Sequence, residues 1–279
     1  MKGHGSSEEA GLDSGGYRRL HEIVRSYGKV LVAFSGGCDS AFILKVARDV
    51  LGKENVLAVI AKSPSLPESE LREAESFARE VDARLRVIET HELENSRYAS
   101  NPVNRCYFCK SELYSRLRPI ALEEGARHIL NGTNLDDLGD WRPGLKAAEE
   151  HSVKSPLVEA GFTKRQLRAA ARNLGLSTWS KPQAAYLASR IPFGTAVTPE
   201  RLTQVEEGEA LLKGFGFKTV RVRWFEKRTS IEVGREETAI FFQNAKIRRE
   251  TLVRFKALGF ETIDLSLEGY RSGRFNPQS

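Results

Sequence analysis

The sequence predicts an α/β protein, a parallel doubly wound sheet followed by a smaller C-terminal α+β domain, on three observations. Short apolar runs alternate with amphipathic stretches through the first half of the chain. The connections between them are short, as in units whose parallel sheet is covered on both faces. From residue 198 onward the order becomes helix, two strands, helix and strand, with no internal repeat. The 279 residues suffice for one sizeable core or two smaller ones. A content of 40% hydrophobic and 29% charged residues is that of a globular protein, and no apolar run nears the roughly 20 residues of a membrane span. Net charge is +6 with a pI near 9.2, which suits a phosphorylated small molecule, another subunit or RNA about equally.

Residues 1–16 are polar and lack the apolar stretch of a signal peptide, which predicts a flexible tail. Residues 29–34 read as a buried strand that runs into Ser35-Gly36-Gly37-Cys38-Asp39-Ser40, and 41–51 has apolar residues at helical spacing. A second strand follows over 55–60, then an amphipathic helix over 67–83 with Glu68 and Glu70 in its first turn, then a third strand over 84–88. A loop through Asn101-Pro102 leads to a helix over 107–124 and a fourth strand over 128–131. Residues 163–172 are helical, started by Thr163 and stopped by Gly175. The segment 180–194 is rich in Pro and small residues and reads as a linker or functional loop. Beyond it come a helix over 198–214 with Pro199 at its first position, strands over 218–224 and 230–233, a helix over 245–258 and a strand over 262–267. The expected division is therefore a sheet domain over 17–180, a functional linker over 181–197 and an α+β domain over 198–279.

In a parallel sheet, ligands gather at the carboxyl ends of the strands. The turn at 35–40, the residues after Ile60 and the residues after Asn131 all fall at that edge. A strand, a Ser/Gly turn and a helix start make an anion site, because glycine lets the backbone approach, free N–H groups point outward and the helix dipole favours negative charge. The plainer reading is a corner capped by Asp39 or Ser40. Ser, Gly, Gly, Asp and Ser together favour a phosphate. No Gly-Lys-Ser/Thr follows, which excludes the Walker A loop. Four further segments carry chemistry: the CxxC of Cys106 and Cys109, the polar run from Gly132 to Gly144, the basic loop from Lys181-Pro182 through Tyr186 and Arg190 to Gly194, and the closing run from Glu268 to Gly273.

SGGxDS in this setting resembles the pyrophosphate loop of the ATP pyrophosphatases, whose sheet is adenine nucleotide alpha hydrolase-like. Taken in order, the motifs resemble the ATP-dependent sacrificial sulfur transferases of the LarE type, over nearly everything from Tyr17 to Asn276. The resemblance implies adenylylation of the carboxylates of a pyridinium dicarboxylate mononucleotide by ATP with Mg²⁺. Sulfur then replaces oxygen, and the thiocarboxylates later hold nickel in a cofactor. By the same resemblance Ala33, Ser35, Gly36, Gly37 and Ser40 would hold ATP, and Asp39 would sit near Mg²⁺ or order the loop. Ala61, Lys62 and Ser63 would line the adenosine, and Gly132, Thr133 and Asn134 would meet it from the other side. Asp136, Asp137 and Asp140 are candidates for Mg²⁺ and equally for helix caps. Arg190, Arg221 and Arg223 are candidates for the substrate phosphate, since guanidinium matches phosphate bidentately and 221 and 223 share a strand face. A solvated basic face or a subunit contact is the plainer reading of these arginines.

The chain departs from the family in one place. The family's loop reads Lys-Pro, three small residues, then Cys-Leu-Ala-Ser-Arg. That cysteine surrenders its sulfur or joins the CxxC in holding an iron–sulfur cluster. Here Tyr186 stands at that position, so no single-use donor exists there, and a cluster lacks its third thiolate. Cys38 is an awkward substitute inside the phosphate loop. Two readings of Cys106 and Cys109 stay open. In one, a thiol carries a persulfide and its neighbour releases product by forming a disulfide, with Arg105 and Lys110 favouring the thiolate. In the other, the pair is a structural remnant. Zinc would need further ligands that the scattered histidines do not obviously supply. So few cysteines fit a reducing cytoplasm. Alternative functions are a tRNA thiolase, an ammonia-using amidotransferase-like synthetase and a nucleotide-binding protein without catalysis. The expected partners are a small carboxylated nucleotide, a sulfur-donor protein and further copies of the chain, with nucleic acid disfavoured and no membrane.

Overall fold

Residues 30–33 and 56–61 are buried without a break, so these two runs must lie inside a sheet covered on both faces rather than at a half-exposed surface. The structure, a computed structural model, describes residues 15–139, 142–182, 186–271 and 273–275. In chain order the elements are α1 (Gly15–Tyr27), β1 (Val30–Ala33), α2 (Cys38–Leu51), β2 (Val56–Lys62), α3 (Glu68–Glu80), β3 (Arg84–Glu89), α4 (Ser96–Ala99), α5 (Arg105–Glu123) and β4 (His128–Leu130). They continue with α6 (Pro143–Glu150), α7 (Pro156–Ala160), α8 (Lys164–Asn173), α9 (Pro199–Gly214), β5 (Val220–Phe225), β6 (Arg228–Val233), α10 (Thr238–Gln243), α11 (Ala245–Ala257) and β7 (Thr262–Leu265).

The chain divides into two compact units. Of the described residues, one unit takes those within Met1–Ser63, Glu68–Thr90 and Cys106–Ala184, and the other takes those within Pro64–Pro67, His91–Arg105 and Ala185–Ser279. The second unit is thus discontinuous in sequence and draws two short segments from the N-terminal half.

The first unit is built on a parallel sheet in the order β3-β2-β1-β4. Leu31, Val59, Leu113, Leu117 and Ile129 form one side of its core with Ala147 and Ala148, so α5 and α6 cover that face. Phe42 of α2 is fully buried against Tyr17 and Phe162. The helix α1 was not anticipated from the sequence; the two glycines that open it belong to the expected tail, of which residues 1–14 lie outside the described residues. Also unanticipated were α6 and α7, each of which begins with a proline that cannot continue an earlier helix but fits a first turn. The Thr163 cap of α8 is reciprocal, its hydroxyl accepting from the Gln166 amide while the Gln166 side chain accepts from the Thr163 amide.

In the second unit β5 and β6 pair antiparallel and β7 adds parallel to β6. Val220, Val222 and Trp224 point into its core, so Arg221 and Arg223 share the opposite face of β5. Phe255 of α11 is fully buried beside Phe260, and α9 meets it at Gly208, where a Cβ would lie 3.1 Å from the Phe255 ring. The strand expected over 262–267 stops at Leu265, and Leu267 is exposed. No helix among the described residues is long and apolar enough to cross a membrane. Phe255→Ala leaves a large cavity in this small core, and chemical denaturation should show a loss of about 3–5 kcal/mol.

Candidate functional site

The phosphate-type turn sits where β1 gives way to α2. Phe34 still donates to the Val59 carbonyl at 2.9 Å, as a sheet residue does, and the chain then turns away. The Ser40 hydroxyl ties the turn together: it accepts from the Ser35 amide at 3.1 Å, lies 3.0 Å from the Ser35 hydroxyl and donates to the Gly37 carbonyl at 3.2 Å. Gly37 is the N-cap of α2 and no side chain caps it. The first turn of α2 is therefore left to attract an anion.

A helix and a second turn press on this turn without room for a side chain. Gly36 has φ of +70°, and a Cβ there would lie 2.9 Å from the Ala74 side chain on α3. A Cβ on Gly132, after β4, would lie 2.7 Å from the Ser40 nitrogen and 2.8 Å from the Asp39 carbonyl carbon. The sheet register explains this meeting: Val32 is level with Leu130, so Gly132 is level with Phe34, the residue just past the end of β1. Ala33 and Ala61 are both buried at this edge, as is Ser63, while Lys62 is exposed and paired with Glu68 at 3.4 Å. Asn131 orders the second turn by accepting from the Thr133 amide at 3.1 Å and the Ser155 hydroxyl at 2.9 Å.

The carboxylates of the site are in defined hands. Asp39 pairs with Lys164 at the start of α8. Asp136 accepts from the Lys164 amide at 2.9 Å and so begins the same helix. Asp137 accepts from the Asn134 amide at 3.0 Å and pairs with Arg142 at 2.8 Å. Burial pushes the Asp137 carboxyl above the ordinary range, and the nearby charge of Asp39 adds to this against the pull of Asn134, Arg142 and Lys164. Asp140 lies outside the described residues. Among the described residues no cluster of three or more His, Cys, Asp or Glu could hold a metal by itself. The residues are compatible with Mg²⁺ in its common mode, in which phosphate oxygens and water supply most ligands and a half-exposed carboxylate such as Asp39 would supply one.

Lys181 is the residue whose role the sequence hid. Its ammonium donates to the Gly36 carbonyl at 3.2 Å and pairs with Glu70 and Glu73 of α3, each at 2.7 Å. Burial alone would lower its pKa, but the two carboxylates more than offset this and raise it. Lys181 thus ties the anion turn to α3. Its place in a Lys-Pro pair was the only signal available.

The cysteines divide. Cys38 is buried, with its sulfur 3.9 Å from the Trp179 carbonyl, and burial reinforced by Asp39 pushes its thiol pKa up. Cys106 is exposed and Cys109 half-buried in the opening turns of α5, and neither is in a disulfide. Arg105, read from the sequence as a cation for those thiols, is 7% exposed, and its guanidinium is held by Asn101 and by the Ala188 carbonyl. An iron–sulfur cluster would find two thiolates in the CxxC, and the sequence has Tyr186 where the family's third cysteine stands, so this set of donors does not fit one.

The three candidate arginines all lie in the second unit, in different circumstances. Arg190 is 2% exposed and forks onto Glu209 at 2.8 and 3.0 Å; it also donates to the Tyr186 carbonyl and the Ser189 hydroxyl. Arg223 donates to Glu232 at 3.0 and 3.1 Å and to the Ser189 carbonyl at 3.1 Å. Glu232 is fully buried and takes Arg274 as well. Arg221 stacks on Tyr270 at 4.8 Å and donates to the Val220 carbonyl. Burial, followed by the charge of Arg190, lowers its pKa.

An uncapped helix start behind a Ser/Gly turn, at the carboxyl edge of a parallel sheet, defines an ATP-using α/β enzyme of the NAD synthase-like pyrophosphate-loop class. In agreement, residues 18–131 match the family described as NAD synthase. The chain is 39% identical over 258 residues to the pyridinium-3,5-bisthiocarboxylic acid mononucleotide synthase of Lactiplantibacillus plantarum, covering 92% of each protein. It is 40% identical to the uncharacterised protein slr1717 of Synechocystis sp., over 92% of this chain and 95% of that one. It is 28% identical to the uncharacterised protein MJ0830 of Methanocaldococcus jannaschii, over 88% and 91% respectively. The chain belongs to the LarE family of sulfur transferases, that of the mononucleotide synthase.

Gly132→Ala forces a methyl into backbone, and calorimetric titration should show ATP affinity falling at least about tenfold, or about 1.4 kcal/mol. Lys181→Met removes the tie to Gly36 while leaving the turn's own atoms in place. The same titration should show a smaller, severalfold loss.

Proposed function

We propose that this enzyme uses ATP to adenylylate a carboxylate of a pyridinium dicarboxylate mononucleotide and then converts it to a thiocarboxylate. The observation that carries the ATP step is the uncapped start of α2 with the Gly132 backbone against it. Similarity along 92% of the mononucleotide synthase favours this substrate over tRNA thiolation or amide synthesis. A carboxylate is a poor electrophile, and adenylylation gives its oxygen a leaving group. Ser35, Gly36, Gly37 and Ser40 take the pyrophosphate part of ATP. Asp39 would hold the Mg²⁺ that accompanies ATP, and the metal would neutralise phosphate charge. Ala33, Ala61, Lys62 and Ser63 line one side of the nucleotide and Gly132, Thr133 and Asn134 the other. Arg221 takes the phosphate of the mononucleotide. Its support is burial beside the like charge of Arg190, which an arriving anion relieves. Arg190 and Arg223 act behind it, since Glu209 and Glu232 already hold them bidentately or nearly so.

With Tyr186 in place of the usual cysteine, sulfur arrives from a donor protein as a persulfide on Cys106. Its terminal sulfur attacks the acyl adenylate, a carbon–sulfur bond forms, and AMP leaves with the electron pair of its bond to carbon. The Cys109 thiolate then attacks the Cys106 sulfur. The sulfur–sulfur bond breaks, the thiocarboxylate departs with the electrons, and a Cys106–Cys109 disulfide remains for a dithiol reductant to reset. The cycle suits a reducing cytoplasm, and the family suggests a homo-oligomer.

Purified enzyme mixed with ATP, Mg²⁺ and the pyridinium dicarboxylate mononucleotide should release pyrophosphate and form an AMP adduct visible by mass spectrometry. Adding a persulfide donor should yield thiocarboxylate. Cys106→Ser should abolish that product and let the adenylate accumulate, whereas Cys109→Ser should abolish it by trapping the substrate as an acyl disulfide on Cys106. Absence of any AMP adduct with the unaltered enzyme would overturn the proposal.

A further inference from the structure

The chemistry above makes no use of Asn101 and Arg105, yet these two buried polar side chains organise the segment that carries Tyr186. Asn101 is fully buried and has φ of +57°, a left-handed conformation that asparagine tolerates better than most residues. Its side-chain nitrogen donates to the carbonyls of Pro192 at 2.8 Å, Thr195 at 2.9 Å and Ile191 at 3.3 Å. Its backbone carbonyl accepts from the Gly194 amide at 2.9 Å, and the Ala99 carbonyl accepts from Val197 at 2.8 Å. Its side-chain oxygen accepts from Arg105 Nη1, and the same nitrogen reaches the Ala188 carbonyl at 3.0 Å. The guanidinium also lies 5.5 Å from the centre of the Phe193 ring. Segment 191–197 is irregular; beside one turn bond from the Thr195 amide to the Pro192 carbonyl at 3.1 Å, Asn101 serves the carbonyls of Ile191 and Thr195, and a buried carbonyl without a donor is costly.

Arg105 is the first residue of α5 and directly precedes Cys106. From the other side, Arg190 holds the Tyr186 carbonyl and Arg223 the Ser189 carbonyl. We infer that Asn101 and Arg105 are positioning residues for sulfur delivery, which fix the chain entering the CxxC to the 186–197 segment and thereby set the reactivity of Cys106. This inference rests on the reading of Cys106 as the sulfur carrier. A helix start that lost this anchor would fray, because its first amides have no partners within the helix. Cys106 would lose its setting before Cys109, which lies a turn further in.

Asn101→Asp keeps the size and the left-handed backbone but sets acceptors against three carbonyls. Arg105→Met removes the donors, and Arg105→Lys restores a cationic donor. In native protein treated with iodoacetamide and read by mass spectrometry, Asn101→Asp and Arg105→Met should change the ratio of Cys106 to Cys109 alkylation at least about fivefold. Arg105→Lys should return the ratio towards that of the unaltered enzyme. In turnover assays both disruptive variants should keep ATP–pyrophosphate exchange within about twofold while kcat for thiocarboxylate falls about tenfold at unchanged KM for the mononucleotide. Exchange at the normal level also certifies the fold, and should Asn101→Asp not fold, the two Arg105 variants decide. An unchanged alkylation ratio, or equal losses in exchange and thiocarboxylate formation, would overturn the inference. If the unaltered enzyme forms no thiocarboxylate, the functional proposal fails, while the alkylation ratio still judges the anchor by itself.

Discussion

Where a side chain on residue 132 would be, the backbone of Asp39 and Ser40 already stands. The turn after β4 and the start of α2 can be this close only because one of the touching residues has no Cβ. That approach follows from the parallel register of β1 and β4 and brings the edges of two turns to one place. On the opposite side Gly36 meets Ala74 of α3 in the same manner, and Lys181 ties Gly36 to that helix through Glu70 and Glu73. The helix start is held in its open form by packing from two directions, and its own side chains do not cap it. Pre-positioned amides cost nothing to arrange when a polyphosphate arrives, which is what makes such a site effective.

Charge in the second unit is organised differently. Arg190–Glu209 and Arg223–Glu232 are buried pairs, and burying such pairs contributes little net stability, because the desolvation cost is close to the Coulombic gain. Their effect is geometric. Each guanidinium uses remaining N–H groups to grip backbone or hydroxyl oxygens between 186 and 189, a stretch with few bonds of its own. The arginines that look like ligand-binding groups in a sequence thus divide into two that shape a loop and one, Arg221, that presents a partly desolvated cation beside them.

Much of the fold was legible because period and punctuation agree. The strands of the first sheet are unbroken apolar runs, and Thr163, Pro199 and Gly175 mark helix ends by their own conformational preferences. The Ser/Gly turn was legible because so few residue types permit an uncapped helix start. Short helices begun by prolines, such as α6 and α7, were missed because eight or five residues give too little periodicity to read. Lys181, Asn101 and the partners of Arg190 and Arg223 were hidden for a different reason. Lys181 and Asn101 depend on residues far off along the chain, Gly36 and Pro192, and the arginine partners lie on neighbouring elements, so no local pattern encodes the pairings.

The anchoring of residues 99–105 by residues 188–197 has a consequence for how the chain comes into being. During synthesis, Asn101 and Arg105 emerge long before the carbonyls they serve, and the pairing spans about ninety residues of sequence, so the loop closes late. Until then the segment that enters the CxxC helix lacks these hydrogen bonds. The C-terminal half of the chain is therefore not a module that could be cut away or exchanged at the linker: it arrives last and completes a structure that the N-terminal half has left open.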